Sequence, residues 1–290
     1  MKTSSNLSKI CFGCEALGGT DWGKVDVKQI KDAIRYAIEL GVNSFDTAGV
    51  YGLGLSEERL CEALGSKRHD LLLVTKGGLS WKENESGSRA IIYKNSSRIA
   101  IEHDILSSLR RLKIERIPIF FIHWPDPNTA FQETFECLNE MRHKGRIQFV
   151  GCSNFSLEAL EESIQYCKID YVQIPINLLY QDQYWKIFEF CSNHDIKIFG
   201  YNVLASGILT GKYSAKSKFG ENDRRSRSED FKKYINLYEK KKLQIHKELR
   251  LRGLSMTQLA ISQIFDQCQL EAAIVGIKSK KQLDDIKIFI

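Results

Sequence analysis

The chain has 290 residues, 43% of them hydrophobic and 27% charged, which suffices for one large α/β barrel or two ordinary domains and excludes a mainly disordered chain. Its net charge of +6 makes it mildly basic, but apart from the run at Arg224, Arg225 and Arg227 no basic arm or stripe marks a nucleic-acid binder. The first ten residues lack the apolar core of a signal peptide, no stretch approaches the ~18 apolar residues of a membrane span, and eight cysteines without a framework spacing read as reduced thiols, so a cytoplasmic protein with neither membrane nor nucleic-acid partner is expected.

Apolar strand runs and helical periodicity alternate along the whole chain. "ICFGCEAL" opens the series near residue 10, with Cys11 and Cys14 on it as a C-x-x-C that lacks a second pair for a metal. A helix over 27–40 follows, with Asp26 as N-cap, Ile30, Ala33, Ile34, Ala37 and Ile38 on one face, and Gly41 as its stop. "VNSFDT" precedes a helix from Ser56 to Gly65, and "LLLVTK" at 71–76 precedes a polar loop of some twenty residues. A helix from Ser97 then turns Ile101, Ile105, Leu109 and Leu112 inward, followed by strand "IPIFFI" at 117–122 and a helix over 131–144. "IQFVGC" leads to a helix capped by Ser156, "YVQIP" to a helix from about 183 to 193, and "IKIFGY" to a long polar connection. A charged helix near 229–250 comes next, then one opened by a capping box of Ser255 and Gln258. "AAIVG" and a last helix, with a second box of Ser279 and Gln282, end the chain.

Eight apolar runs with no polar alternation imply strands buried on both faces, hence a parallel sheet. Eight strand–helix units in ~250 residues fit a closed (β/α)8 TIM barrel spanning residues 1–290 as one domain. An open doubly wound sheet is disfavoured because no G-x-G-x-x-G follows the first strand.

In such a barrel the C-terminal strand ends share one face, where active sites are built. Asp46 and Tyr51 follow the second strand, Lys76 the third and His123 the fourth; Ser153 and Asn154 follow the fifth. Gln173 lies on the sixth, Tyr201 ends the seventh, and Gly276 with Lys278 ends the eighth. Singly, each suits a solvated or backbone-bonded side chain. Together they bring an acid, a phenol, an ammonium and an imidazole around one mouth, a set suited to carbonyl reduction. The phenol would protonate the oxygen, a neighbouring ammonium would lower its pKa from ~10, the acid would hold the ammonium, and the imidazole would orient the carbonyl. No side chain donates hydride, so a nicotinamide cofactor is required. No metal site is expected. Trp22, Trp81 and Trp124 fall in loops after the first, third and fourth strands, where they would wall a substrate pocket.

The series "FDTAGVYG", "LVTKGG", "FIHWPD", "GRIQFVGCSNFS", "LASGILTGKY" and "IVGIKSKKQL" resembles the aldo-keto reductases over essentially the whole chain. The resemblance implies NADPH-linked reduction of a small-molecule aldehyde or ketone by a tetrad of Tyr51 (proton donor), Asp46, Lys76 and His123. It implies that Ser153, Asn154 and Gln173 hold the carboxamide and that Tyr201 stacks on the nicotinamide. It places Leu204, Ser206, Gly207 and Leu209 along the pyrophosphate, Gly276 at the end of the last strand, and Lys278 and Gln282 at the adenosine end, Lys278 by the 2′-phosphate. The chain departs from the family pattern at Val203, where proline is usual, and at Ile286, where asparagine is common. It also stops at Ile290, where many relatives continue into a tail over the pocket. The polar stretch from Lys212 to Asp230 is the candidate lid in its place. Three other functions fit parts of this pattern: a cofactor-bound regulatory subunit like the potassium-channel β subunits, a reductase of sugar-nucleotide ketones, and an unrelated barrel acting on phosphorylated sugars.

Overall fold

The computed structural model describes residues 7–84, 89–180 and 184–290. Its strands in chain order are β1 (Ile10–Gly13), β2 (Ser44–Asp46), β3 (Leu72–Gly77), β4 (Leu79–Lys82), β5 (Ile91–Lys94), β6 (Ile117–Ile122), β7 (Ile147–Ser153), β8 (Tyr171–Pro175), β9 (Lys197–Tyr201) and β10 (Ala272–Gly276). All but β4 and β5 pair in parallel and close into a barrel in the order β1-β10-β9-β8-β7-β6-β3-β2, the expected TIM topology. Alternation along each strand sorts the side chains. Cys11, Val74, Ile119, Phe121, Tyr171, Phe199 and Ile274 fill the barrel. Neighbours such as Phe12, Phe45, Phe120 and Ile122 point outward to the helix layer.

The helices are α1 (Val27–Leu40), α2 (Leu55–Leu64), α3 (Arg98–Leu112), α4 (Phe131–His143), α5 (Leu157–Ser163), α6 (Trp185–Asn193), α7 (Glu229–Arg252), α8 (Met256–Gln267) and α9 (Lys280–Ile286). Local chemistry sets their ends. Asp26 accepts from Gln29 N and Gly41 closes α1 at φ +106°. Ser156 caps α5 and Ser228 caps α7. The capping box of Ser255 and Gln258 opens α8.

Three local expectations change. The polar loop after β3 contains the antiparallel hairpin β4–β5, with Trp81 opposite Ile92 and Ser80 opposite Tyr93. Its strands are short and largely exposed, so neither burial nor periodicity marks them in the sequence. The first strand stops at Gly13, and Glu15–Gly18 forms a 3-10 turn instead. The second capping box is absent. Ser279 makes no side-chain cap bond, and Gln282 Oε1 accepts from Lys278 N at 2.7 Å, one residue earlier than a box requires. The expected start of the sixth helix near 183 lies outside the described residues; α6 begins at Trp185.

Candidate active site

The barrel brings the acid, ammonium, phenol and imidazole together. Asp46 ends β2 and Lys76 sits one residue before the end of β3, and β2–β3 pairing sets these strands side by side. Lys76 Nζ donates to Asp46 Oδ1 at 2.6 Å, to the Thr47 carbonyl at 2.9 Å and to Tyr51 Oη at 3.5 Å. His123 follows β6, and its ring meets the Tyr51 ring edge-on with centroids 5.7 Å apart. The segment carrying Tyr51 is clamped from several sides. Ser56 Oγ accepts from Thr47 Oγ1 at 2.9 Å and donates to the Cys14 carbonyl at 2.8 Å. On the other side the 3-10 turn after β1 approaches so closely that a Cβ on Gly52 would lie 2.3 Å from the Gly18 carbonyl. Only glycine fits there. Beneath, fully buried Glu57 accepts from Thr75 Oγ1 at 2.6 Å and from Arg111 Nε at 2.5 Å, tying α2 to β3 and α3.

The electrostatics depart from the expected pattern at the phenol. Lys76 is not what governs Tyr51: burial first, then Glu15 and Asp46, push its pKa well above the usual value, and Arg224 opposes them. The reason is geometric. Asp46 at 2.6 Å compensates the ammonium, and the phenol oxygen is 3.5 Å from it. Burial, then the Lys76 and Arg224 charges, hold the His123 imidazole well below its ordinary value, so it is neutral, with Nδ1 buried and without a hydrogen-bond partner among the described residues. The site is therefore a neutral phenol and a neutral imidazole beside an internally compensated ion pair.

The residues expected around a nicotinamide meet one another. Gln173 Nε2 donates to Asp46 Oδ2 at 2.8 Å. Asn154, at φ +64°, donates to the His123 carbonyl at 2.9 Å and to Ser153 Oγ at 3.1 Å, and its Oδ1 accepts from Tyr201 Oη at 2.5 Å. Ser153 keeps its own hydroxyl proton to donate. In the turn Ala205–Thr210, the amides of Ser206, Gly207 and Leu209 donate to Asn202 Oδ1 and, twice, to the Leu204 carbonyl.

At the far end, Lys278 Nζ donates to the Trp22 carbonyl at 3.1 Å and lies 5.7 Å from the Trp22 ring. Burial and then Arg225 depress the Lys278 pKa. The Arg225 guanidinium stacks on Phe219 and Tyr213 at 4.3 and 4.4 Å and also faces Trp22. Trp22 thus sits among cations, while Trp81, expected in a loop, lies on hairpin strand β4, and Lys94 Nζ of β5 lies 5.5 Å above the 41%-exposed Trp124. The stretch proposed as a lid lies across this end. Trp22 bridges Asp223, Gly23 N donates to the Asn222 carbonyl, and Arg224 N donates to the Asp21 carbonyl.

These residues fit a nicotinamide dinucleotide. A Cβ on Gly276 would meet nothing within 4 Å, so the end of β10 faces open space. Beside it, Arg225 is paired with Asp223 at 2.6 Å, and Lys278, bonded to the Trp22 carbonyl, is the cation an anionic group would meet. Among the described residues no cluster of His, Cys, Asp or Glu could hold a metal. Cys11 and Cys14 are buried with thiols pushed up by that burial, which makes them poor nucleophiles. No described helix is long and apolar enough to cross a membrane. Glu15, Glu57, Arg111 and Arg224 were not singled out for the site from the sequence. Only the arginine run carried a signal, and it was weighed there for nucleic acid.

The sequence signature of the Aldo/keto reductase family matches residues 9–288. The aldo-keto reductase YhdN of Bacillus subtilis is 32% identical over 286 residues, covering 97% of this chain and 85% of that protein. The NADH-specific methylglyoxal reductase of Escherichia coli is 32% identical over 72% of this chain and 67% of its own length. Among solved structures, the glycerol dehydrogenase of Gluconobacter oxydans superposes with a TM-score of 0.83 at 32% identity, over 97% of this chain and 86% of that one. This chain belongs to the aldo-keto reductase family and is an NAD(P)H-dependent oxidoreductase.

Proposed function

We propose that the protein reduces an aldehyde or ketone to the alcohol with NADPH as preferred cofactor and Tyr51 as proton donor, working as a single barrel domain. The observation that carries this reading is the contact series Asp46–Lys76–Tyr51–His123 at the C-terminal mouth of the barrel. When bound, the nicotinamide supplies the hydride. The chain's own residues do the rest. The Tyr51 phenol is protonated at neutral pH, as a donor must be, although burial makes it a weaker acid than a free phenol. The oxygen of a reduced carbonyl becomes an alkoxide, a far stronger base than phenolate, so the proton moves downhill from Tyr51 Oη. Neutral His123, next to Tyr51, orients the carbonyl oxygen by hydrogen bonding. Lys76, anchored by Asp46 and Thr47, steadies the phenolate left behind. Ser153, Asn154 and Gln173 orient the carboxamide, Tyr201 backs the ring, and the Leu204–Leu209 turn follows the pyrophosphate. Lys278, with Gln282 on its amide, meets the 2′-phosphate.

Tyr51→Phe removes the donor and leaves the ring. Turnover should fall ~10²- to 10⁴-fold, the range for one general acid, with cofactor affinity retained; turnover at the parent rate would reject Tyr51 as donor. A second reading, a cofactor-bound regulatory subunit, is supported by 27% identity over 98% of the chain to a probable voltage-gated potassium channel subunit beta of Arabidopsis thaliana. Multiple-turnover oxidation of NADPH across a carbonyl panel, sugar-nucleotide ketones included, separates the two.

A further inference from the structure

Arg224 lies within electrostatic reach of Tyr51 and His123, yet the mechanism above makes no use of it. It lies on the segment after the Ala205–Thr210 turn, and its backbone N–H donates to the Asp21 carbonyl, which fixes it over the first loop of the barrel. Its Nη1 lies 2.5 Å from Glu15 Oε1, and its guanidinium is 5.6 Å from the Trp22 ring centroid. Glu15 opens the 3-10 turn that ends in Gly18, and a Cβ on Gly18 would lie 2.8 Å from the Tyr51 carbonyl carbon. The turn that holds the guanidinium is therefore packed directly against the residue proposed as donor. The charge of Arg224 is felt by Tyr51, His123 and Tyr201 alike. A guanidinium has five N–H donors in a rigid fork, Glu15 engages one nitrogen, and half of the side chain is exposed.

We propose that Arg224 is a specificity residue that binds an anionic group, carboxylate or phosphate, on the carbonyl substrate, with Glu15 holding the fork in place until the anion arrives. The inference rests on the carbonyl-reductase reading and narrows its substrate class to oxo acids and phosphorylated aldehydes or ketones. The surroundings favour this use. The reacting groups are neutral, and Lys76 is compensated by Asp46, so neither offers a net charge to a substrate anion. Arg89 and Arg227 share the single carboxylate of Asp21 beside Arg224, which leaves this rim positive. The planar fork matches carboxylate and phosphate geometry, and Trp22 supplies an aromatic face against which the guanidinium keeps its orientation.

The test measures kcat/KM with NADPH for ω-oxo acids of increasing chain length against their methyl esters, and for glycolaldehyde phosphate against glycolaldehyde. The first arm reports a carboxylate, the second a phosphate. The parent enzyme should prefer the anion in at least one arm. Arg224→Gln should cut the anion-to-neutral ratio about 10- to 100-fold, the worth of one charge-assisted hydrogen bond. Arg224→Lys should restore part of it, which a merely structural arginine would not show. Glu15→Gln, removing the competing carboxylate, should raise the ratio. An unchanged ratio in Arg224→Gln, or a parent preference for the neutral partner in both arms, overturns the proposal. Tryptophan fluorescence with NADP⁺ present separates this failure from that of the reductase reading. Quenching by an ω-oxo acid in the parent and not in Arg224→Gln supports the anion site even with no carbonyl reduced.

Discussion

Replacing Asp46 by Asn tests what holds an ammonium inside the barrel mouth. Lys76 Nζ lies 2.6 Å from Asp46 Oδ1, and the side chains are 3% and 5% exposed. At that separation and an effective dielectric near 20, the attraction is about 6 kcal/mol. Stripping water from each ion costs several kcal/mol, so the intact pair contributes little net stability. Breaking it is another matter, because the surviving charge keeps its desolvation cost without a partner. Asp46 accepts from both Lys76 Nζ and Gln173 Nε2, one on each oxygen. An asparagine has one acceptor oxygen, so one of these donors would face the amide NH₂. Asp46→Asn should therefore cost about 3–5 kcal/mol, as should Lys76→Met, which strands the carboxylate. The double variant carries neither charge, and its loss should fall short of the sum by at least ~2 kcal/mol. Equilibrium urea unfolding of the four proteins, followed by tryptophan fluorescence and far-UV circular dichroism, measures this where the probes coincide and the slope m is shared. Additivity within about 0.5 kcal/mol would refute the claim that the two groups form one desolvated pair.

Lys278→Ala should weaken NADPH binding and leave NADH nearly unaffected, read by fluorescence titration; equal losses would mean that Lys278 does not meet the 2′-phosphate. Saturating NADPH should protect the Lys212–Asp230 stretch from limited proteolysis, because residues 222–224 of that stretch pack over Trp22 and Gly23 beside Lys278, where the cofactor's anionic end is proposed to sit; identical cleavage with and without cofactor would rule out closure. Burial raises the Asp104 carboxyl from 3.8 to about 6 although Gly78 N donates to it. The folded state then holds this proton more tightly than the unfolded one, so stability from this group falls as pH rises from about 4 to about 6. Asp104→Asn should flatten that part of the stability profile in urea melts, and an unchanged slope would count against it.

The barrel was legible in the chain because eight strands buried on both faces leave apolar runs that no solvent-facing alternation interrupts. Helix ends at Asp26, Gly41, Ser156 and Ser255 were legible because capping is local chemistry within one turn. The convergence of Asp46, Tyr51, Lys76 and His123 followed from the C-terminal strand ends sharing one face of a closed barrel. The hairpin β4–β5 was missed since exposed strands need no apolar pattern, and the Ser279 box since Gln282 has a competing acceptor role one residue earlier. Only the tertiary structure decided the sign of the Tyr51 shift, because a pKa answers to every charge within reach, and Asp46, Glu15 and Arg224 come from three separate segments. The same holds for the arginine run. Its composition spoke only of positive charge, while the packing of residues 222–224 over Asp21, Trp22 and Gly23 set one of those charges against Glu15 at the mouth. Which side chains face one another across 200 residues of chain is settled by barrel closure, and no local pattern encodes it.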